Sequence, residues 1–212
     1  YIFIVSSMHT VIRNDASGYY SVTVAARDTH RLFTSNNERL FIISQLKVLL
    51  EYRARVSTLP LYRQLSTCID LLAYNVAENG LSLALFSLSE TAVRQLLREL
   101  FDSLREYRYS YNLSTPLHFC QVVTKLSGPH DCLATTLAIH TTARDWESGR
   151  YSSIGFYLND RRGDWMRIWR MSKLFNGSAS QYQDLVTAFV AQRNKVGYLA
   201  AIVPSGARPN TA

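Results

Sequence analysis

The sequence predicts an α+β fold: a ferredoxin-like split βαβ sandwich, with helices on one face of an antiparallel sheet and a helical C-terminal extension. Three observations carry that expectation. Between Tyr19 and Thr142, strand-like and helix-like stretches follow one another in the order β-α-β-β-α-β-α, which an antiparallel sheet packed against helices accommodates most economically. Two of the strands flank Glu78-Asn79-Gly80, and Asn-Gly is a strong hairpin signal. A chain of 212 residues with 47% hydrophobic content can bury one sizeable core.

The elements follow in order. Tyr19 to Ala26, rich in aromatic and β-branched residues after Gly18, reads as a strand. Asn36 and Asn37 are placed to cap a helix whose apolar residues Leu40, Ile43, Leu46, Val48, Leu49 and Leu50 recur at helical spacing to about Arg53. Pro60 punctuates the connection that follows. Cys68 to Ala77 and Leu81 to Ser87 are the hairpin strands; Leu81, Leu83 and Leu85 share one face, and Gly80, Ser82 and Ala84 the other. Ser89 caps the next helix, Glu90 favours its first turn, and Val93, Leu96, Leu97, Leu100, Phe101 and Leu104 form its buried face. His118 to Thr124 is a further strand, and Asp131 to Thr142 a helix after Gly128-Pro129. Residues 1–145 are thus read as the core and 146–200 as the extension. That extension holds Tyr151 to Leu158, Trp165 to Arg170 and a helix over Gln181 to Gln192, with a loose tail over 201–212.

The charge balance is basic: 23 Lys+Arg against 16 Asp+Glu, a net +7, which favours a polyanionic partner. Nineteen of the basic residues are Arg, whose planar fork suits phosphate. No apolar run reaches the ~20 residues of a membrane span, and Tyr1 to Val5 is too brief for a signal peptide. Three cysteines without framework spacing fit a reducing cytoplasm.

Several constellations bear on chemistry. Arg94, Arg98, Arg105 and Arg108 form one helical stripe, read either as a solvated face with ion pairs or as a basic ridge lining a groove. Arg161, Arg162, Arg167 and Arg170 interleave with Trp165 and Trp169, the composition of a surface that stacks bases and neutralises phosphates, or of a helix packed onto the core. His118-x-Cys120 and His130-x-Cys132 offer four zinc donors, but neither pair has the gap of common zinc knuckles. Tyr107, Tyr109 and Tyr111 are candidate nucleophiles for strand transfer or a cover for the helix end. No hydrolase elbow, phosphate loop or dinucleotide fingerprint occurs.

Tyr20-Ser-Val-Thr-Val followed by Arg27 and Leu32-Phe33, Leu72-Ala-Tyr-Asn-Val76 followed by Asn79, Tyr107 to Asn112, Trp146 with Arg150-Tyr-Ser-Ser153, and Tyr182 to Val190 together form a recognisable series. From about Tyr19 to Val190 the chain resembles the single-tyrosine HUH transposases, and among them those associated with repetitive extragenic palindromes. The family reads Asn-His-apolar-His-apolar where this chain reads Asn79-Gly80-Leu81-Ser82-Leu83. Its nucleophile lies in Arg-Tyr-Ile-His-x-Asn-Pro, beside which stands Leu137-Ala138-Ile139-His140-Thr141-Thr142-Ala143.

In that family a divalent ion held by the His pair polarises a phosphodiester and the Tyr attacks it. Gly80, Ser82 and Ala138 supply neither ligands nor nucleophile. The resemblance therefore implies a catalytically dead DNA-binding protein of the nucleoid, without metal or cofactor. It would recognise hairpin or single-stranded DNA, as a homodimer or alone. The rivals are an active strand-transfer enzyme using Tyr107, Tyr109 or Tyr111 with an unusual metal site, and a protein-interaction subunit.

Overall fold

The computed structural model describes residues 17–27, 31–51, 60–113, 117–142, 149–159 and 161–202, with the backbone alone at 60, 62–63 and 195–202. The expectations placed on Tyr1 to Val5, Arg53, Ala143, Trp146 and residues 203–212 of the tail lie outside these residues, whereas Ala201 and Ile202, expected in the loose tail, close the last helix. Strands β1 (Gly18–Ala26), β2 (Ile69–Ala77), β3 (Gly80–Ser87) and β4 (Phe119–Lys125) form one sheet in the order β2-β3-β1-β4. Every neighbouring pair is antiparallel. The class is α+β with an open four-stranded sheet.

Helix α1 (Asn36–Leu50) starts one residue later than its cap, which is Ser35 rather than the asparagines. Ser35 Oγ accepts the Glu38 N–H at 3.2 Å, and the Glu38 carboxylate accepts the Thr34 N–H at 2.7 Å. The Ser-x-x-Glu spacing of a capping box was the sequence signal for this start. Ile42, Leu46, Leu49 and Leu50 are buried, whereas Leu40 and Val48 face solvent. Pro60 does not mark a plain connection. It opens α2 (Pro60–Cys68), because the missing N–H of proline costs nothing in a first helical turn; Cys68 therefore ends a helix instead of beginning a strand.

In the hairpin, Ala77 pairs with Gly80, leaving Glu78-Asn79 as the turn. Gly80 lies in the strand, and no positive φ makes it necessary there. A Cβ at Gly80 would stand 2.6 Å from the Val24 carbonyl oxygen, so it is close approach of the neighbouring backbone that demands glycine. Helix α3 (Glu90–Ser110) begins as its sequence predicts, with Ser89 Oγ accepting the Ala92 N–H at 3.2 Å. All six residues of its expected apolar face are buried.

Helices cover both faces of the sheet, not one. α1 and α3 pack together over the face bearing Leu81, Leu83 and Leu85, and Phe101 of α3 stacks on Phe119 at 4.4 Å. α4 (Pro129–His140) crosses the other face against β1, β2 and β3. There Gly80, Ser82, Ala84, Ala73 and Ser21 lie in register, and Ala73 and Ala84 are wholly buried. Small side chains let a helix lie close. A face of small residues thus became a second packing surface where the sequence reading had left it bare.

The extension is bonded to the sheet. Residues 151–153 and 166–167 bond to the outer edge of β2: Val76 donates to Tyr151, Ser153 to Tyr74 and Arg167 to Leu71, with N···O distances of 2.8–3.0 Å. Such pairing removes an exposed strand edge. α5 (Ile154–Tyr157), α6 (Trp169–Ser172), a 3-10 turn (Lys173–Phe175) and α7 (Ala179–Ile202) follow. No helix among the described residues is long and apolar enough to cross a membrane.

Candidate nucleic-acid interface

The α3 stripe divides. Arg94, Arg98 and Arg105 are exposed. Arg94 Nε donates to the Glu90 carboxylate at 2.9 Å, and Arg105 pairs with Asp102. Exposed pairs of this kind are worth only a few tenths of a kcal/mol, so these arginines keep most of their capacity to bind an anion.

Arg108 departs from the stripe. Its spacing also continues the Leu97, Phe101, Leu104 row, and that row faces inward. Its Nε and Nη2 grip the Glu38 carboxylate at 2.7 and 2.9 Å, and Nη2 also donates to the Leu32 carbonyl at 2.8 Å. Burial alone pushes the Glu38 carboxyl up, but hydrogen bonds from Arg108 and Thr34 outweigh it and hold it below its ordinary value. Arg108 is a core ion-pair residue, which corrects its assignment to a phosphate-binding surface.

The C-terminal cluster divides in the same way. Trp165 is 5% exposed and stacks on Tyr74 at 5.5 Å. It belongs to the core and presents no face to a base. Trp169 is 58% exposed. Arg170 lies 3.8 Å over the Phe86 ring and 4.9 Å from that of Trp169, with Asp70 accepting from its Nε at 2.5 Å. Arg167 shares Asp70 at 3.7 Å. Arg161 is half-buried and donates to the Ser152 carbonyl at 3.2 Å, while Arg162 is exposed. Trp169, Arg170 and Arg162 are the members of this group that offer aromatic and cationic surface.

Gly80 and Ser82 lie on the face that α4 crosses, and Ala138 is exposed on α4. The residues present do not fit the divalent ion of the resembled family. Gly80 has no donor and no room for one, Ser82 offers a lone hydroxyl, and among the described residues no three His, Cys, Asp or Glu come together to hold a metal. The four zinc candidates do not assemble either. Cys132 is buried, with its thiol pushed up to about 12 by burial, while His118, Cys120 and His130 are exposed. Tyr107 packs between Phe41 and Tyr111, with centroids at 4.4 and 4.7 Å, so two of the three tyrosines cover the helix end. Tyr109 is 86% exposed.

Beneath α4 lies a buried polar network. His140 Nδ1 meets Tyr182 Oη at 2.6 Å and Nε2 meets Ser153 Oγ at 2.7 Å. Ser153 Oγ accepts the Tyr74 N–H at 2.8 Å, and Tyr157 Oη donates to the Leu72 carbonyl at 2.8 Å. Burial lowers the His140 pKa to about 3 and raises those of Tyr157 and Tyr182. A buried imidazole with both nitrogens engaged ties α4 to Ser153 and Tyr182.

An open cleft of about 270 Å³ is formed by Arg27, Arg105, Leu117, His118 and Phe119, residues that the sequence reading did not bring together. The Arg27 N–H donates to the His118 carbonyl at 3.0 Å, one rung beyond the last register pair, Ala26 with Phe119. The pairing of β1 with β4 brings these residues together, and no local pattern marks it. In comparisons with known proteins, no family model, no curated protein and no solved structure matches the chain.

Proposed function

We propose that this chain is a catalytically inactive, transposase-derived DNA-binding protein with a ferredoxin-like, HUH-type core, and that it recognises hairpin or single-stranded DNA. The observation that carries the reading is the convergence of the resembling segments. Tyr74 from the Ala-Tyr run, His140 from the helix aligned with the family's catalytic one, Ser153 from the Tyr-Ser-Ser segment and Tyr182 from the closing helix meet in a single hydrogen-bonded network. Segments so far apart in the chain have no local reason to meet. The strand order β2-β3-β1-β4 adds support, since it places β3 between β1 and β2 as a split βαβ requires.

The DNA contacts fall to Arg94, Arg98, Arg105, Arg162 and Arg170, with Trp169 as the stacking surface. Inactivity follows from Gly80, Ser82 and Ala138, which leave the strand-transfer chemistry without ligand or nucleophile. An electrophoretic shift panel comparing hairpin, single-stranded and duplex DNA is the test. Hairpin or single-stranded DNA binds best, and log K against log [salt] has a slope of about −3 for four neutralised phosphates. With Mg²⁺ or Mn²⁺ no covalent protein–DNA band forms. Affinity that ignores salt, or a covalent adduct, overturns the reading.

A further inference from the structure

We infer that the cleft formed by Arg27, Arg105, Leu117, His118 and Phe119 is a binding subsite for a single phosphate group of a nucleic-acid strand. The inference rests on the DNA-binding reading and extends it to residues outside the arginine stripe. Three of the five described residues that line it are basic, and none of the five is acidic. Arg27 and His118 come from paired strands and are held side by side by the Arg27 N–H bond to the His118 carbonyl at 3.0 Å. Arg105 borders the cleft from α3, so basic residues border it from two elements. A guanidinium fork offers phosphate two parallel N–H bonds, and an imidazole presents an N–H in either neutral tautomer.

Asp102 is paired with Arg105, at side-chain exposures of 50% and 56%. Exposed pairs are weak, and charge-assisted bonds to a phosphate outbid this one. Position supplies the rest of the argument. Arg94, Arg98 and Arg105 stand along one stripe of α3, and Arg94 and Arg105 are separated by about 16 Å of helix. The cleft lies where that stripe ends. A strand tracking the stripe delivers a phosphate to it.

Two measurements on the full chain test this. Inorganic phosphate is titrated while arginine Nε–H signals are followed by NMR, and hairpin DNA affinity is measured across salt for the wild type, Arg27→Ala and His118→Ala. Both side chains are exposed, and the backbone bond between them survives substitution; thermal melting checks that the variants stay folded. The expected result is a saturable response confined to Arg27 and Arg105. Arg27→Ala then weakens hairpin binding about tenfold and flattens the salt slope by ~0.7. A uniform, non-saturating drift of all arginines overturns the inference. So do both variants binding hairpin DNA as the wild type does, and that outcome leaves the DNA-binding reading intact. Wild-type protein that fails to bind hairpin DNA at low salt defeats both.

Discussion

At the scale of the residue, what an arginine does here depends on what stands opposite it. Arg98 faces water and Arg108 faces Glu38, although ten residues of one helix separate them. Removing one partner of a buried pair leaves an uncompensated charge, so Arg108→Ala lowers unfolding free energy by about 3–5 kcal/mol, read by urea denaturation. Arg98→Ala shifts stability by no more than ~0.5 kcal/mol and reduces the salt slope of DNA binding instead. The pair also carries a pH signature. The Glu38 carboxyl is depressed in the folded chain, so its contribution is complete above its unfolded pKa of about 4.3 and is lost as pH falls through the folded value.

At the scale of the element, the antiparallel strands and α3 were legible in the sequence, and the helix on the second face was not. Alternation of Leu with small residues placed β3, and the spacing of Val93 to Leu104 placed α3, because both patterns reflect one buried face. Two-sided coverage was hidden because Ala73, Ala84 and Gly80 look the same in sequence whether they meet solvent or α4. Gly80 makes the case testable. Gly80→Ala drives a methyl group toward the Val24 carbonyl and costs about 1–3 kcal/mol in denaturant unfolding, whereas Ser82→Ala is close to neutral. Gly80→His meets the same obstacle, so its side chain is not accommodated without displacing the Val24 carbonyl.

At the scale of the whole molecule, the His140 network binds the extension to the core. Arg193 of α7 adds to it by donating to the Thr141 carbonyl at 2.9 Å. His140 is held neutral to about pH 3, while an unfolded chain protonates it near 6.5. Between those values the unfolded state binds a proton that the folded state refuses, so stability falls as pH drops, by up to about 1.4 kcal/mol per unit. Melting temperature measured from pH 7 to 4 records the fall, and His140→Gln flattens it. Persistence of the full slope in that variant removes His140 as its cause.

The sequence by itself determined the α+β class, the hairpin, the cap and buried face of α3 and the basic charge, because each is written in local spacing or residue type. Tertiary structure alone decided that Arg108 pairs with Glu38, that Trp165 turns inward, that α4 covers the second face, and that Arg27 meets His118. Those outcomes depend on which distant group lies opposite a side chain, and helical or strand periodicity holds no information about that partner.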